Sequence, residues 1–243
     1  MSLTIQKASD FNPANVGFSK IRKNKNGGKT VYLNGDNNKK IYIQLPKMRS
    51  PYGLSSYTDE GSGRTSYSLD LSFDNDNEEA TALRKKLEEL DDLIVKTVAE
   101  NSKEWLGKEY NIEVMKQALY KPLVRLPSND QYPATFKLKI LNKQDGTFVP
   151  EAYNYKKERV DLDSIEKGQR VVAIVDLSSL WFIDNKFGAS VRLSQVLLEQ
   201  SEKLPSFAFQ DIDGVTDGPS GGSSGSEAGE EDDELMIDDD VDV

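Results

Sequence analysis

The chain has 243 residues, of which 37% are hydrophobic, enough to bury one sizeable core. It has no Cys and no His, which excludes disulfides, thiolate zinc sites and the common Ser-His-Asp and Cys-His catalytic arrangements. The net charge of −10 is unevenly distributed along the chain, because residues 211–243 hold 13 of the 41 acidic residues and none of the 31 basic ones. The remaining chain is slightly positive, and residues 1–50 are strongly so, which suits an anionic partner.

Domain boundaries follow from composition. Residues 211–243 are rich in Gly, Ser, Asp and Glu and hold too few apolar residues to offset the entropy lost on ordering. We therefore predict one domain over residues 1–210 and a disordered acidic tail over 211–243. No apolar run approaches the ~20 residues of a membrane span, and Met1–Asp10 lacks the layout of a signal peptide, so we expect a soluble intracellular protein without a membrane partner.

Short strands are predicted in the first third of the chain. Residues 31–33 and 40–45, separated by a turn at Asn34-Gly35, predict a β-hairpin in which Ile41, Ile43 and Leu45 share one face. Residues 46–64 are punctuated by Pro, Gly and Ser, which predicts a long loop. Residues 66–73 alternate cleanly and predict a half-buried strand.

A helical insertion is predicted over about residues 78–119. Apolar residues recur at helical spacing from Leu83 to Val98, with Asn75 and Glu78 as a candidate capping box. A second helix is predicted over residues 112–119.

Strands return in the last third of the domain. Residues 135–141 alternate, residues 171–177 form an apolar run, and residues 180–183 and 189–198 form a second hairpin around a turn at 184–188. The fold class predicted is mostly β (α+β): an oligonucleotide/oligosaccharide-binding (OB) Greek-key barrel with a helical insertion.

Catalytic and cofactor sites are not favoured by the sequence. Residues 27–30 end like a phosphate-binding loop, but Lys23 stands where that loop needs Gly. Asp74, Asp76 and Glu78 have cation-ligand spacing, yet acids just before a helix are more simply caps. We predict no enzyme activity, no metal and no cofactor.

Basic residues interleaved with aromatic ones recur in four stretches, residues 22–42, 47–64, 153–159 and 181–192. Cations follow phosphates, and flat rings stack on unpaired bases whatever their sequence. This combination predicts a site for single-stranded nucleic acid, to which Lys137 and Lys139 add two outward-facing charges. The candidate contacts are Arg22, Lys23, Lys25, Lys29, Tyr32, Lys40, Tyr42, Lys47, Arg49, Tyr52, Tyr57, Arg64, Lys137, Lys139, Tyr153, Tyr155, Lys156, Lys157, Arg159, Trp181, Lys186, Phe187 and Arg192.

Aromatic residues can instead belong to the core. Tyr67 and Trp181 fit inward strand positions better than stacking ones, whereas Tyr32, Tyr42 and Phe187 fall on outward faces or in loops.

The acidic tail has an apolar segment that solubility alone does not require. We predict that this segment binds protein partners and that the tail competes with DNA for the basic face, most strongly at low salt. The candidate partner-binding residues are Glu234, Leu235, Met236, Ile237, Asp238, Asp239 and Asp240.

The sequence resembles the single-stranded DNA-binding proteins of T7-like phages and, more closely, those of large nucleocytoplasmic DNA viruses. The resemblance covers residues 30–200 loosely, and the acidic terminus. It is carried by Ile41-Tyr-Ile-Gln-Leu-Pro46, Ser50-Pro-Tyr-Gly53, Tyr67-Ser-Leu-Asp-Leu-Ser-Phe73, Trp181-Phe-Ile183, Lys186-Phe-Gly188 and Gln195.

The resemblance implies an OB fold, coating of single-stranded DNA during replication, recombination or repair, and tail contacts with the replicative DNA polymerase and the helicase or primase. It also implies a viral or phage replication compartment of the host cell. Two alternatives remain open, an acidic-tailed chaperone of basic proteins such as histones, with a dimeric body, and an RNA-binding or transcription factor on the same barrel.

Overall fold

The computed structural model describes residues 4–24, 28–129 and 131–199, except for the Asn37 side chain. The predicted tail and its partner-binding residues lie outside these residues. Fourteen strands form within them: β1 (Ile5–Lys7), β2 (Gly17–Phe18), β3 (Arg22–Lys23), β4 (Lys29–Asn34), β5 (Ile41–Arg49), β6 (Leu54–Thr58), β7 (Thr65–Ser72), β8 (Tyr120–Lys121), β9 (Val124–Arg125), β10 (Thr135–Ile140), β11 (Glu151–Asn154), β12 (Arg159–Val160), β13 (Arg170–Ile183) and β14 (Lys186–Leu198).

The helices are few and mostly short. The long one is α1 (Glu78–Glu100), followed by α2 (Ser102–Trp105) and α3 (Ile112–Val114), which continues into a π-helical turn over Met115–Leu119. Three 3-10 turns occur at Pro13–Asn15, Asp36–Asn38 and Leu162–Ser164. In the part of the chain that the structure describes, no helix has the length and apolarity needed to cross a membrane. The predicted mostly β body with a helical insertion is confirmed.

Five strands close into a ring. β5 pairs with β13, β13 with β14, β14 with β10, β10 with β7, and β7 returns to β5 through Arg49 and Ser72. Each of these pairings is antiparallel except β10 with β14, which run parallel where Lys139 meets Arg192. The remaining strands extend the ring at its edges.

The core fills this ring with the inward residues of each strand. As predicted, Ile41, Ile43 and Leu45 share a buried face, each 2% exposed. Leu69 and Leu71 of β7 face them, and α1 contributes Leu83, Leu87, Leu90, Ile94 and Val98. Side chains that alternate with these residues point outward, which is how β10 presents Lys137 and Lys139.

The predicted β13–β14 hairpin is confirmed, with a tighter turn. Asp184 and Asn185 both have positive φ, 48° and 66°, as a two-residue type I′ turn requires. Register shifts occur after Ile174 and after Leu177. Each adds a residue to one strand and reverses which side chains point inward beyond it.

The hairpin predicted at Asn34-Gly35 is wrong. β4 pairs with residues 179–182 of β13, and β5 pairs with residues 170–177 of the same strand. The two strands therefore follow one another along β13 and do not fold back on each other. A 3-10 turn joins them, and a hydrogen bond from the Gly35 N–H to the Lys39 carbonyl oxygen at 2.9 Å closes it. After this turn the chain continues in the same direction along β13.

The long loop predicted over residues 46–64 is interrupted by strand residues at 46–49 and 54–58. β5 continues to Arg49, and β6 pairs with β7 as a hairpin. Between β5 and β6, the buried Ser50 accepts a hydrogen bond from the Gly53 N–H at 3.1 Å. Gly53 has φ of +68°, and a Cβ there would lie 2.8 Å from the Ile165 carbonyl oxygen, so this turn requires glycine.

Helix α1 confirms the predicted helix but not its cap. The N-cap is Asn77, whose Oδ1 accepts from the Ala80 N–H at 3.0 Å, while its Nδ2 donates to the Lys47 carbonyl oxygen. The Asn75–Glu78 capping box is therefore wrong. The side chain of Asn77 fastens the start of α1 to β5.

A buried carboxylate ties α1 to the segment that leads into β9. Asp91, 8% exposed, accepts hydrogen bonds from the Tyr120 hydroxyl and from the backbone N–H groups of Leu123 and Val124. Burial raises its pKa to about 6, even though these hydrogen bonds favour the ionised form. The segment that delivers Arg125 is thus anchored by one acidic side chain.

This carboxylate makes stability depend on pH. In the unfolded chain Asp91 titrates near 3.9, so between about pH 4 and pH 6 the folded state keeps a proton that the unfolded state has lost. The free energy of unfolding should therefore fall as pH rises through this window, by up to about 3 kcal/mol from Asp91 alone. Asp70 and Asp176, whose pKa values are also raised by burial, add the same sign. Denaturant unfolding of the wild type and of Asp91→Asn at several pH values isolates the Asp91 share.

The matched control is Asp163→Asn, at an exposed carboxylate, which should retain the wild-type pH dependence. Parallel curves for the wild type and Asp91→Asn would contradict the assignment.

Candidate nucleic-acid interface

A groove of about 270 Å³ lies on the outer face of the strand ring, where β7 and β10 approach the end of the β13–β14 hairpin. Three cations and three aromatic rings line it: Arg125, Lys137, Lys139, Tyr57, Tyr67 and Trp181. We call this the basic groove. Its other lining residues are small or aliphatic: Ser66, Ser68, Ile183, Ala189, Ser190 and Val191.

The cations are placed by strand periodicity. Lys137 and Lys139 lie two residues apart on β10 and so about 7 Å apart along the strand, on the same face. Arg125 comes from β9, opposite Thr135. Within the described residues neither Arg125 nor Lys137 has an ion pair within 4 Å. Their charges are available to a ligand.

The aromatic rings are held by their neighbours. Trp181 stands opposite Gly188, where a Cβ would lie 2.8 Å from the indole Cζ2 and 3.0 Å from the Lys121 carbonyl oxygen. Tyr67 packs edge-on against Phe148, with ring centroids 5.0 Å apart. Tyr57 projects from β6 and is 67% exposed. Neighbouring residues therefore hold Trp181 and Tyr67 in place, and Tyr57 is accessible to a ligand.

Two carboxylates lie among the cations of the outer face. Asp70 is directly opposite Lys137, and Asp176 is directly opposite Arg192. Asp176 Oδ2 lies 3.9 Å from Lys40 Nζ, whereas its buried Oδ1 and the buried Nε of Arg192 have no hydrogen-bond partner in the described structure. Burial raises the pKa of Asp176, while the charges of Lys40 and Arg192 lower it.

The structure brings part of the predicted site together. Tyr57, Lys137, Lys139 and Trp181 line the basic groove. Three more predicted residues lie around Asp176: Lys40, Tyr42 and Arg192.

Other predicted contacts lie outside the groove. Arg22 stacks on Tyr32, with the guanidinium 5.3 Å from the ring centroid, beside Lys23 on β3, and Lys29 Nζ donates to the Trp105 carbonyl oxygen. Exposed predicted residues on turns or at strand ends are Tyr52, Arg64, Tyr155, Lys156 and Lys186. Lys25 lies outside the described residues.

Some predicted cations are engaged within the fold. Arg49 makes a two-pronged pair with Asp74, at 3.0 and 2.8 Å, and Lys47 pairs with Glu199. Arg159 lies 3.6 Å from Glu151. Tyr153 and Lys157 line a second groove, described below.

Three aromatic positions differ from the prediction. Phe187 was expected to face outward but is fully buried, packed between Tyr120 and Phe182. The core positions favoured for Tyr67 and Trp181 are wrong, since both side chains are only half-buried and line the groove, where Trp181 was also among the predicted contacts. The register shift after Leu177 explains Trp181, because it turns Leu180 and Phe182 inward in place of their neighbours.

Arg125 is the groove residue that sequence reasoning missed. It follows Leu123-Val124 in a two-residue strand with no alternation and no aromatic neighbour in sequence. Only the pairing of β9 with β10 brings it to the lysines. Nothing local in the sequence signals this placement.

A model of the DUF5871 family, described as a family of unknown function, matches residues 69–211. The chain belongs to this family. The matched region begins in β7 and includes β10, β13 and β14, and with them most of the basic groove. It leaves out Tyr57 and Tyr67.

An uncharacterized protein of Acanthamoeba polyphaga mimivirus is 27% identical over 162 residues, which are 65% of this chain but only 26% of that protein. The chain thus spans about a quarter of this viral relative.

Among solved structures, gp2.5, a single-stranded DNA-binding protein encoded by bacteriophage T7, is 15% identical, with 72% of this chain and 91% of gp2.5 covered and a TM-score of 0.44. The single-stranded DNA-binding protein from bacteriophage Enc34, in complex with single-stranded DNA, is 16% identical, with 77% and 97% covered and a TM-score of 0.41. Both TM-scores are below 0.5.

The contact between Gly188 and Trp181 predicts that Gly188→Ala displaces the indole. We expect the free energy of unfolding to fall by about 1–3 kcal/mol, the usual cost of forcing an added methyl group into a packed site. Iodide quenching of tryptophan fluorescence should also change, because Trp105 is 5% exposed and contributes little.

Gly17→Ala is the control, since its Cβ would meet the Asn34 carbonyl oxygen at an ordinary 3.6 Å. Gly188→Ala with wild-type stability and quenching would show that Gly188 does not position the indole.

Proposed function

We propose that the chain binds single-stranded DNA in the basic groove, without strong sequence preference and without enzymatic activity. The observation that carries the proposal is the convergence of Arg125, Lys137 and Lys139 with Tyr57, Tyr67 and Trp181 in one open groove. These six residues come from five strands, so tertiary folding, and not one basic segment, assembles the combination.

The chemistry of the groove suits an unpaired strand. Cations that neutralise phosphates release counterions, which gives affinity that falls steeply with salt. Each base that stacks on an aromatic ring adds about 1–3 kcal/mol, independent of sequence. In a duplex the base faces are already stacked and inaccessible to Tyr57 and Trp181, so only the phosphates would contribute.

The strand ring supports the proposed OB fold. Numbered along the chain, its strands are β5, β7, β10, β13 and β14, and they close with the last two exchanged in spatial order. This order is the one expected of a five-stranded Greek-key barrel, the architecture in which the OB fold leaves a sheet face and its loops to an oligonucleotide. The basic groove lies on the face of the second and third strands, as that architecture predicts.

The biological role proposed is that of a replication accessory protein that protects single strands during replication, recombination or repair. The acidic tail would recruit a replicative DNA polymerase and a helicase or primase through residues 234–240, and compete with DNA for the basic groove. No cofactor is required. The setting proposed is the viral replication compartment of the host cell, which the similarity to a mimivirus protein supports.

Fluorescence polarisation of labelled oligo-dT across a salt series tests the proposal. The wild type should prefer oligo-dT to duplex competitor, and residues 1–210 alone should bind more tightly than the full chain, most clearly at low salt. Arg125→Gln and Lys137→Gln should each weaken binding and reduce the slope of log affinity against log salt by about 0.7.

The control Lys85→Gln removes an exposed charge of α1 and should leave the slope unchanged. If both the full chain and residues 1–210 bind oligo-dT and duplex with equal affinity, the proposal is wrong. Preference for a matched RNA oligomer would redirect it to RNA.

Removing the acid Asp176 should tighten DNA binding, whereas removing a groove cation should weaken it. The Asp176 carboxylate lies among Lys40, Arg192 and the DNA-binding face, so Asp176→Asn should tighten oligo-dT binding about fivefold at low salt, the effect of one unit charge near 4 Å in water. Because the pKa of Asp176 is raised, lowering the pH should tighten wild-type binding as this group is protonated, a component that the variant lacks.

Polarisation titrations over a pH series measure both effects, with Asp163→Asn as the control and thermal unfolding to verify the fold. Weaker or unchanged binding by Asp176→Asn would contradict the prediction.

A further inference from the structure

A second groove of about 320 Å³ lies on the outer face of the same hairpin, at the end away from Trp181. Val172, Ile174 and Leu197 form its floor, with Val196 beside them, and Gln44, Tyr153, Asn154, Lys157 and Gln195 form its rim. We call this the apolar groove. We propose that it is a second base-binding subsite, which receives an unpaired base of the DNA strand that occupies the basic groove. The proposal rests on the function proposed above.

The floor is apolar and incompletely covered. Val172 lies directly opposite Leu197, and the three floor side chains are half-buried although they point away from the core. The inward residues between them, Val171, Ala173 and Val175, are each at most 1% exposed. A flat hydrophobic surface of this kind gains stability when a planar ring covers it.

The rim offers hydrogen bonds in the manner that base edges require. Side-chain amides have both a donor and an acceptor, which match the edges of bases. Gln44 is directly opposite Ile174 on one side, and Gln195 is directly opposite Ile174 on the other. The exposed Gln44 and Gln195 thus flank the same floor residue.

The charge at the rim favours a phosphate chain. Lys157 has a positive φ of 64° in the turn between β11 and β12 and borders the groove, next to Lys156. Two acids lie near the rim. Glu151 accepts from the Tyr153 hydroxyl at 2.8 Å and from Gln195 Nε2 at 3.3 Å, and Arg159, 3.6 Å away, compensates its charge. Glu158 accepts from Asn154 Nδ2 at 2.7 Å.

The two grooves are joined by one surface. Trp181 and Ile174 both point outward from β13, seven residues and so about 23 Å apart along the strand. Between them lie Lys40, Tyr42 and Arg192, which add two cations and a ring to the path. A strand leaving the basic groove along the hairpin would pass these residues and reach the apolar groove.

Oligonucleotide length separates the two subsites. An oligo-dT of about 4 nucleotides, the lower end of site sizes for one OB fold, should fill the basic groove alone, whereas one of about 16 should reach both. Ile174→Asn should weaken binding of the longer oligomer by roughly 5- to 150-fold, the range for one stacked base, and leave the shorter one unchanged. Val114→Asn, at an exposed apolar residue of α3, is the matched control and should affect neither.

A second experiment observes the apolar groove directly and does not require Ile174→Asn to fold. Since the chain has no Cys, Gln195→Cys creates a unique thiol for an environment-sensitive fluorophore. The longer oligomer should change its emission and the shorter one should not, whereas a label at Glu89→Cys, on the exposed face of α1, should respond to neither.

The outcomes distinguish this inference from the proposed function. If the longer oligomer binds by polarisation but the label at position 195 is silent, the apolar groove is not a base subsite and the basic groove alone binds DNA. If the label responds to protein concentration without DNA, the groove is an interface between copies of the chain and the inference is wrong. If neither oligomer binds, both proposals fail.

Discussion

The antiparallel ladder between β13 and β14 sets the position of five other strands. β4 and β5 pair along β13, and β8, β10 and β11 pair along β14. Side chains alternate with a period of two, so a slip of one residue would bury Arg192 and expose its core neighbours. The type I′ turn at Asp184 and Asn185 fixes this register at one end, and the two bulges determine which residues face outward beyond them.

The cations of the domain divide between the fold and the outer face. Arg49 is held by both oxygens of Asp74 and joins β5 to the start of the helical insertion, while Lys86 Nζ donates to the carbonyl oxygens of Ala8 and Ser9. Arg125 and Lys137 have no such ion pair in the part of the chain that the structure describes. A cation satisfied within the protein gains little from a phosphate, because an existing pair must first be broken. The unpaired cations therefore make the stronger candidates for a polyanion.

Sequence periodicity predicted the elements better than their partners. The alternation around Leu69, Phe136 and Val191 and the helical spacing from Leu83 were sufficient to locate β7, β10, β14 and α1. Asn34-Gly35 misled the hairpin prediction. β13 is far away in sequence but longer than β4 or β5, and both strands pair with it and not with each other. Two of the three cations in the basic groove could be predicted in the same way, since Lys137 and Lys139 alternate with core residues, whereas the position of Arg125 depends on a tertiary pairing. The outward position of Trp181, a predicted contact for which a core position was favoured, depends on a bulge, and a bulge has no clear sequence signature.

The two carboxylates on the outer face have a physical reason to be there. Lys40, Arg192, Lys137 and Lys139 would repel one another if the face held no acid, and that repulsion would oppose folding in the absence of DNA. Asp70 and Asp176 each lie directly opposite one of these cations and reduce the repulsion. Both are partly desolvated, which raises their pKa values and limits how strongly they hold their neighbours. Asp176 therefore offsets part of the repulsion without holding its cations in a fully satisfied ion pair, since its Oδ1 has no hydrogen-bond partner in the described structure, and it competes less with a phosphate than a fully paired carboxylate would.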